Sequence, residues 1–93
     1  MTKADLVDEI ADKTGLTKKD VADTVDEFLE AIKRALKNDN HIEIRGFGTF
    51  KVRQRRARVA RNPKNPGQPV HVPERRVPVF KVSKQLKDMV ANV

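Results

Sequence analysis

The segment from Arg53 to Arg76 limits the possible folds more than any other part of the chain, because it cannot form a hydrophobic core of its own. It holds eight arginines and lysines, four of the chain's five prolines and no aromatic residue. Its apolar residues, proline aside, are Ala57, Val59, Ala60, Val70 and Val72. We expect it to project as a two-stranded ribbon with residues 62–67 at its tip, since prolines are tolerated where both strands are edges. A disordered basic loop that orders on binding is the alternative.

The residues before this segment predict two helices. Thr2 with Asp5, and Thr17 with Asp20, have the form of N-terminal capping boxes. Apolar residues follow each pair at steps of three and four, which is the spacing of one helical face. The second helix is expected to run from about residue 18 to residue 37, and Gly15 is expected to cap the end of the first.

The second half of the chain changes to a period of two. Alternating apolar and polar residues predict strands over 42–44 and from Phe50 onward, joined by a turn at 46–48. A third strand is expected to return over 70–80, and Ser83 is expected to cap a short last helix. The expected fold class is α+β, with two N-terminal helices, a three-stranded antiparallel sheet with a long protruding β-ribbon arm, and a short C-terminal helix.

The chain's length allows one small domain whose own core is marginal. With 93 residues and no cysteine, it has neither the size nor the disulfides that stabilise a small fold. We expect residues 1–52 and 77–93 to form a dimerisation body, and residues 53–76 to form the arm. Packing within one subunit is the alternative to a core that two subunits share. That shared core is expected to include Phe28, Leu29, Ile32, Phe47, Phe50 and Phe80.

Charge divides the chain into two unequal halves within a net charge of +7. Residues 1–44 carry seven lysines and arginines and eleven acids, whereas residues 45–93 carry thirteen and two. A basic half beside an acidic half predicts a polyanionic partner. An anionic membrane surface is disfavoured, because the amphipathic helices are the acidic part. Double-stranded DNA is favoured over single strands and RNA loops, since the arm has no aromatic residues on which bases could stack. An RNA-binding or ribosome-associated basic protein is the alternative.

Other classes of function lack support in the sequence. There is no Ser–His–Asp set or phosphate-binding glycine loop, and His41 and His71 are too far apart for a closed zinc site. We therefore expect no enzyme activity, metal, cofactor or small-molecule substrate. No apolar run reaches the roughly 20 residues of a membrane span, and the N-terminus lacks the apolar core of a secretion signal. A cytoplasmic location is the expectation.

Several motifs of the chain resemble the signature of the HU/IHF family of bacterial histone-like proteins. Residues 46–50 read Gly-Phe-Gly-Thr-Phe, and Arg55, Arg58 and the run Arg-Asn-Pro-Lys-Asn at 61–65 follow. Phe80-Lys81, Lys84 and Leu86-Lys87 resemble the family's C-terminal end. The likeness covers essentially the whole chain. It implies an intertwined dimer, of two copies or with a paralogous subunit, whose arms lie along the minor groove of double-stranded DNA. Such a protein bends and compacts DNA in the nucleoid with little or modest sequence specificity.

The resemblance also implies which residues contact DNA. Pro63 at the arm tip is expected to wedge between base pairs as an intercalating residue. Arg58 and Arg61 match the family's arm arginines, while Lys84 and Lys87 match lysines near the last helix that meet phosphates. The full expected set is Arg45, Thr49, Arg53, Arg55, Arg56, Arg58, Arg61, Asn62, Pro63, Lys64, Arg75, Arg76, Lys81, Lys84 and Lys87.

Two features depart from the commonest pattern of that family. The run Asn-Pro-Gly at 65–67 adds one residue and a second proline to the tip, which bears on tip geometry and bend angle. Glu43 and Arg45 resemble an IHF subunit more than a typical HU. Such a pair could read sequence in the minor groove or form a cross-strand ion pair.

Overall fold

The computed structural model describes residues 1–62 and 64–92. Three helices and five strands follow one another in the order α1 (Lys3–Thr14), α2 (Lys18–Lys37), β1 (Ile42–Ile44), β2 (Gly48–Arg55), β3 (Arg58–Asn62), β4 (Asn65–Val72), β5 (Arg75–Val82) and α3 (Lys84–Ala91). The predicted α+β class, its two N-terminal helices and its short last helix are confirmed.

Side-chain caps fix the ends of the helices, as predicted. The hydroxyl of Thr2 accepts a hydrogen bond from the backbone of Asp5, whose carboxylate accepts one from the backbone N–H of Thr2 at 2.8 Å. Thr17 caps α2 by accepting a hydrogen bond from the N–H of Asp20 at 3.1 Å, but the return bond from the Asp20 side chain that would complete the predicted box is not seen among the described residues. Gly15 ends α1 with a left-handed backbone, φ 77°, which glycine adopts without a Cβ clash.

The strands form two separate antiparallel sheets. The body sheet has the order β1-β2-β5, and the arm is a two-stranded sheet of β3 and β4. The predicted single strand over 70–80 is wrong in one respect, because the structure divides it at Pro73 and Glu74 into β4 and β5. The opposite strand breaks at the same level, between Arg55 and Arg58. Pro73 has no N–H to donate to a ladder, so a break there costs the sheet little.

The arm tip is shorter than the predicted 62–67. Strand β4 already begins at Asn65, so the backbone of Pro66 and Gly67 belongs to the ribbon. Asn62 pairs with Asn65, whereas Arg61 pairs with Pro69, and this shift in register leaves residues 66–68 of β4 unmatched on β3. A bulge of this kind accommodates extra residues and increases local twist.

The turn between β1 and β2 joins the sheet to the last helix. The backbone N–H of Ser83 donates to the carbonyl of Phe47 at 2.9 Å, and Phe47 in turn donates to Ile44 at 3.0 Å. Gly48 is buried, and a Cβ placed on it would lie 2.5 Å from both the Lys81 carbonyl oxygen and the ring of Phe80. The turn therefore needs glycine at this position for close packing.

Apolar side chains are only partly covered within one chain. The buried core consists of Val7, Ala11 and Val21, where α1 packs on α2. A folded monomer of 10.6 kDa exposes about 5,500 Å², whereas this chain exposes 8126 Å². Phe28 is 56% exposed and Leu29 is 42% exposed. Among the described residues, no helix combines the length and the hydropathy that crossing a membrane requires.

The close approach at Gly48 yields a stability prediction. Gly48→Ala is expected to destabilise the fold by about 1–3 kcal/mol, because the new methyl group collides with backbone that cannot retreat. Urea unfolding followed by circular dichroism measures the change. Gly15→Asn is the matched control, since nothing lies within 4 Å of a Cβ there and asparagine tolerates left-handed backbone. An alanine variant as stable as the wild type would show that the turn can open without cost.

Candidate nucleic-acid interface

Four arginines line one recess where the arm leaves the body. Arg55 of β2 lies directly opposite Arg75 of β5, and residues that face each other across a ladder share one side of the sheet. Arg56 and Ala57, in the strand break, and Arg58, the first residue of β3, complete the lining. The recess has a volume of about 480 Å³ and is open to solvent. Like charges placed opposite each other destabilise a sheet, so this arrangement favours an anion between them.

Five of the arm arginines have no carboxylate partner within the part of the chain that the structure describes. Arg53, Arg55, Arg56, Arg58 and Arg75 are exposed and form no ion pair there. Five acids of the first two helices are instead paired with basic residues of those two helices. These pairs are Lys3–Asp26, Lys18–Asp8, Lys19–Asp23, Lys33–Glu30 and Arg34–Glu27.

Local pairing also sets the electrostatics of the acidic helix. The ammonium of Lys33 lies 2.8 Å from Oε1 of Glu30, and this hydrogen bond, reinforced by its charge, lowers the pKa of the Glu30 carboxyl. The same contact raises the pKa of Lys33. A cation of the same helix therefore favours the ionised form of the Glu30 carboxylate.

A second group of predicted residues surrounds the Gly46–Gly48 turn and the start of α3. Thr49 lies opposite Lys81 in the ladder between β2 and β5. Ser83 caps α3 through the N–H of Leu86 at 3.1 Å, and its own backbone holds the turn. Lys84 forms an ion pair with Asp88 at 3.0 Å, so its charge is partly neutralised. Arg45 in the turn and Lys87 on α3 are exposed.

Arg76 differs from the other predicted arm cations. Its guanidinium donates to the carboxylate of Asp39 at 2.6 Å and to the carbonyls of Leu36 and Lys37, both at 3.4 Å. It therefore faces the end of α2, whereas Arg75, the next residue, faces the recess. The sequence does not indicate Asp39 as the partner of Arg76. The two residues are 37 apart, and turn-forming residues at 38–40 do not specify a distant contact.

The predictions for Glu43 and for the arm tip have different outcomes. The alternative of a cross-strand ion pair for Glu43 is not seen among the described residues, since Glu43 lies opposite Thr49 and neither it nor Arg45 contacts an opposite charge there. Arg61 and Asn62 lie in β3 near the tip, and Lys64 lies in the turn between the two arm strands. Pro63, the predicted wedge, lies outside the described residues.

Gln85 is a further contact that the sequence did not indicate. A Cβ on Gly46, whose φ is 78°, would lie 2.9 Å from Oε1 of Gln85. The first turn of α3 therefore lies directly against the turn at 46–48.

Among residues 1–62 and 64–92, no cluster of three His, Cys, Asp or Glu side chains is arranged to hold a metal ion.

Comparison with known proteins identifies the family. The family model described as bacterial DNA-binding protein matches residues 1–91. The chain belongs to the HU/IHF family of bacterial DNA-binding proteins. It is 44% identical to DNA-binding protein HU 1 of Bacillus subtilis over 92 residues, 99% of each chain. It is 41% identical to integration host factor subunit alpha of Aliivibrio fischeri, over 100% of this chain and 94% of that one.

Solved structures of HU proteins share the fold. The chain matches the HU of an Anabaena HU–DNA cocrystal structure with a TM-score of 0.90 and 36% identity, over 100% of both chains. It matches HU from Thermotoga maritima with a TM-score of 0.70 and 34% identity, over 97% of this chain and 98% of that one. The family predicted from the Gly-Phe-Gly-Thr-Phe and Arg-Asn-Pro motifs is confirmed.

Proposed function

We propose that this chain is an architectural protein of the bacterial nucleoid, which binds double-stranded DNA through the minor groove, bends it and compacts it. The observation that carries the proposal is the recess of Arg55, Arg56, Arg58 and Arg75, whose charges have no carboxylate partner among the described residues. A phosphate fits both the size and the charge of such a recess, and the forked guanidinium suits phosphate oxygens. The Anabaena HU protein, which matches over the whole chain, was crystallised with DNA, and this supports DNA as the polyanion.

The shape of the arm supports a groove as its binding site. A two-stranded ribbon separate from the body sheet can enter a groove with phosphates on both sides. Arginine in a narrow minor groove responds to the strong negative potential there, largely without reading base identity. We assign the wedge to Pro63. We assign DNA contacts to the other predicted residues except Arg76, which are Arg45, Thr49, Arg53, Arg55, Arg56, Arg58, Arg61, Asn62, Lys64, Arg75, Lys81, Lys84 and Lys87.

A second subunit is part of the proposal. Phe47, Phe50 and Phe80 form a ring cluster on the sheet, with centroids 4.8 to 6.4 Å apart, yet Phe47 and Phe80 remain 44% and 43% exposed. Phe28, Leu29 and Ile32 lie on α2, of which Ile32 alone is half-buried. An intertwined dimer, with a second copy or a paralogous subunit, would cover these surfaces and carry two arms on one body.

Binding, rather than catalysis, is the activity we assign. The same charges would also attract structured RNA, so a competition assay between kinked duplex DNA and structured RNA of equal length discriminates the two partners. Preference for the duplex supports the proposal, and clear preference for the RNA contradicts it. DNA binding of this kind places the protein in the cytoplasm, on the nucleoid.

Shortening the arm tests the proposal directly. Replacing residues 56–74 by Asn-Gly closes β2 and β5 with a two-residue hairpin below Arg55 and Arg75. We expect a folded dimer whose affinity for duplex DNA, measured by fluorescence anisotropy at physiological salt, falls about a hundredfold or more, because at least four cations are lost. Lys19→Gln, which removes one exposed charge from α2, is the control and should bind as the wild type does. Undiminished binding by the shortened chain would refute the assignment to the arm.

The wedge assigned to Pro63 predicts a loss of bending. Pro63→Ala is expected to reduce the bend more than the affinity, since the rigid apolar ring is removed while every phosphate contact is kept. Energy transfer between dyes at the two ends of a short duplex measures the bend. Pro69→Ala, in strand β4 away from the tip, is the matched control. An unchanged bend in the Pro63 variant would reduce that residue to a turn former.

The shared core predicts the mass of the protein in solution. Light scattering should give about twice 10.6 kDa. Leu29→Asp is expected to reduce the mass to that of one chain or to unfold the protein, because it places a charge in the shared core. Val59→Asp, at an apolar position on the arm that is 62% exposed, should leave the mass unchanged. A wild-type chain that is monomeric at micromolar concentration would contradict the shared core.

A further inference from the structure

Three contacts tie the base of the arm to the end of a helix. The guanidinium of Arg76 reaches the carboxylate of Asp39 at 2.6 Å, a length typical of a charge-assisted hydrogen bond. The same nitrogen lies 3.4 Å from the carbonyl oxygens of Leu36 and Lys37 in the last turn of α2. The Leu36 carbonyl also accepts a hydrogen bond from the backbone N–H of Asp39 at 3.1 Å. Both carbonyls lie at the negative end of the helix dipole, so a cation is favoured there.

Asp39 occupies an unusual backbone position for this contact. Its φ is 63°, and it is the one non-glycine residue with positive φ in the part of the chain that the structure describes. Aspartate is among the few residues that tolerate this conformation, although glycine adopts it more readily. A carboxylate at this position therefore has a cost that glycine would avoid, and the ion pair with Arg76 is the contact that the carboxylate supplies in return.

The position of Arg76 in the sheet gives the contact its significance. Arg76 pairs with Gln54, one residue before the last rung that joins β2 and β5, and the arm sheet begins beyond that rung. Gln54 in turn donates to Glu74, the residue that precedes β5, at 2.8 Å. These polar contacts hold the last rungs of the body sheet, which determine the direction in which the ribbon leaves the body.

We propose that Arg76 and Asp39 form a clamp that sets the direction of the DNA-binding arm, so that Arg76 is a positioning residue rather than a phosphate ligand. The proposal rests on the proposed function, because the direction of the arm matters only if the arm grips DNA. It replaces the role expected for Arg76 from sequence, while its neighbour Arg75 keeps that role. In a bent duplex, a tilt at the arm base moves the tip along the groove. Loss of the clamp should therefore change the bend angle more than it changes the number of phosphate contacts.

Four variants separate the clamp from a phosphate contact. Arg76→Gln and Asp39→Asn each remove one charge of the pair, and their double variant tests coupling between them. Arg75→Gln is the matched control, since it removes the neighbouring charge on the opposite face of β5. For each protein, anisotropy across a salt series gives the affinity and its slope, end-to-end energy transfer in a short duplex gives the bend, and thermal unfolding with light scattering confirms a folded dimer.

The clamp predicts that Arg76→Gln and Asp39→Asn reduce energy transfer by similar amounts, and that the double variant is no worse than either. Their log–log salt slopes should not weaken, and affinity should change by about twofold or less. Arg75→Gln should instead weaken the slope by about 0.9, the loss of one phosphate contact. Asp39→Gly, which suits the left-handed backbone, should reproduce the smaller bend and so excludes a fault of folding.

Three outcomes would overturn the clamp. The first is a loss of slope in Arg76→Gln equal to that in Arg75→Gln, and the second is a wild-type bend in Asp39→Asn with tighter binding, as expected of a surface acid that only repels DNA. The third is strictly additive effects in the double variant. If the wild type itself fails to bind or bend duplex DNA, the proposed function fails. If the wild type bends DNA and every clamp variant bends it by the same angle as the wild type, the clamp proposal fails while the proposed function stands.

Discussion

The structure depends on a segment that carries charge but cannot bury it. The arm has too few apolar side chains to pack on the body. Arg76 is paired with Asp39, whereas Arg53, Arg55, Arg56, Arg58 and Arg75 form no ion pair among the described residues. Five acids of α1 and α2 are instead paired with lysines and arginines of those two helices. Most of the arm's described positive charge is therefore available to an anion from outside the chain.

The small core of the body follows from the length of chain that the arm takes up. The chain spans 60 Å along its longest axis and has a radius of gyration of 18.9 Å, where a compact chain of this length would have about 12 Å. Residues placed in the arm cannot contribute to a core, and the described part of the chain buries only three hydrophobic residues, all on the first two helices. A second subunit would supply the missing cover and at the same time present two arms from one rigid base. Stability and DNA geometry would then come from the same interface.

Much of the fold could be predicted because its signals are local. The caps at Thr2 and Thr17, the glycine turn and the polarity of the arm each depend on residues close together in sequence, and each was found. The break at Pro73 and the bulge near Arg61 were not, because they depend on how two strands match over their whole length. The pairing of Arg76 with Asp39 was also missed. Arg75 and Arg76 are the same type of residue, and they differ in the face of β5 from which their side chains project.

The central claim is that the arm's charges are available to phosphates, and the salt dependence of wild-type binding tests it most directly. Equilibrium affinity for an unmodified duplex is measured from about 50 to 200 mM salt. Five described arginines without carboxylate partners predict a straight log–log plot with a slope of about −4.5 per subunit, since each neutralised phosphate contributes about −0.9. A slope near zero, with affinity retained at high salt, would show that these guanidinium groups do not meet the DNA backbone and would contradict the account.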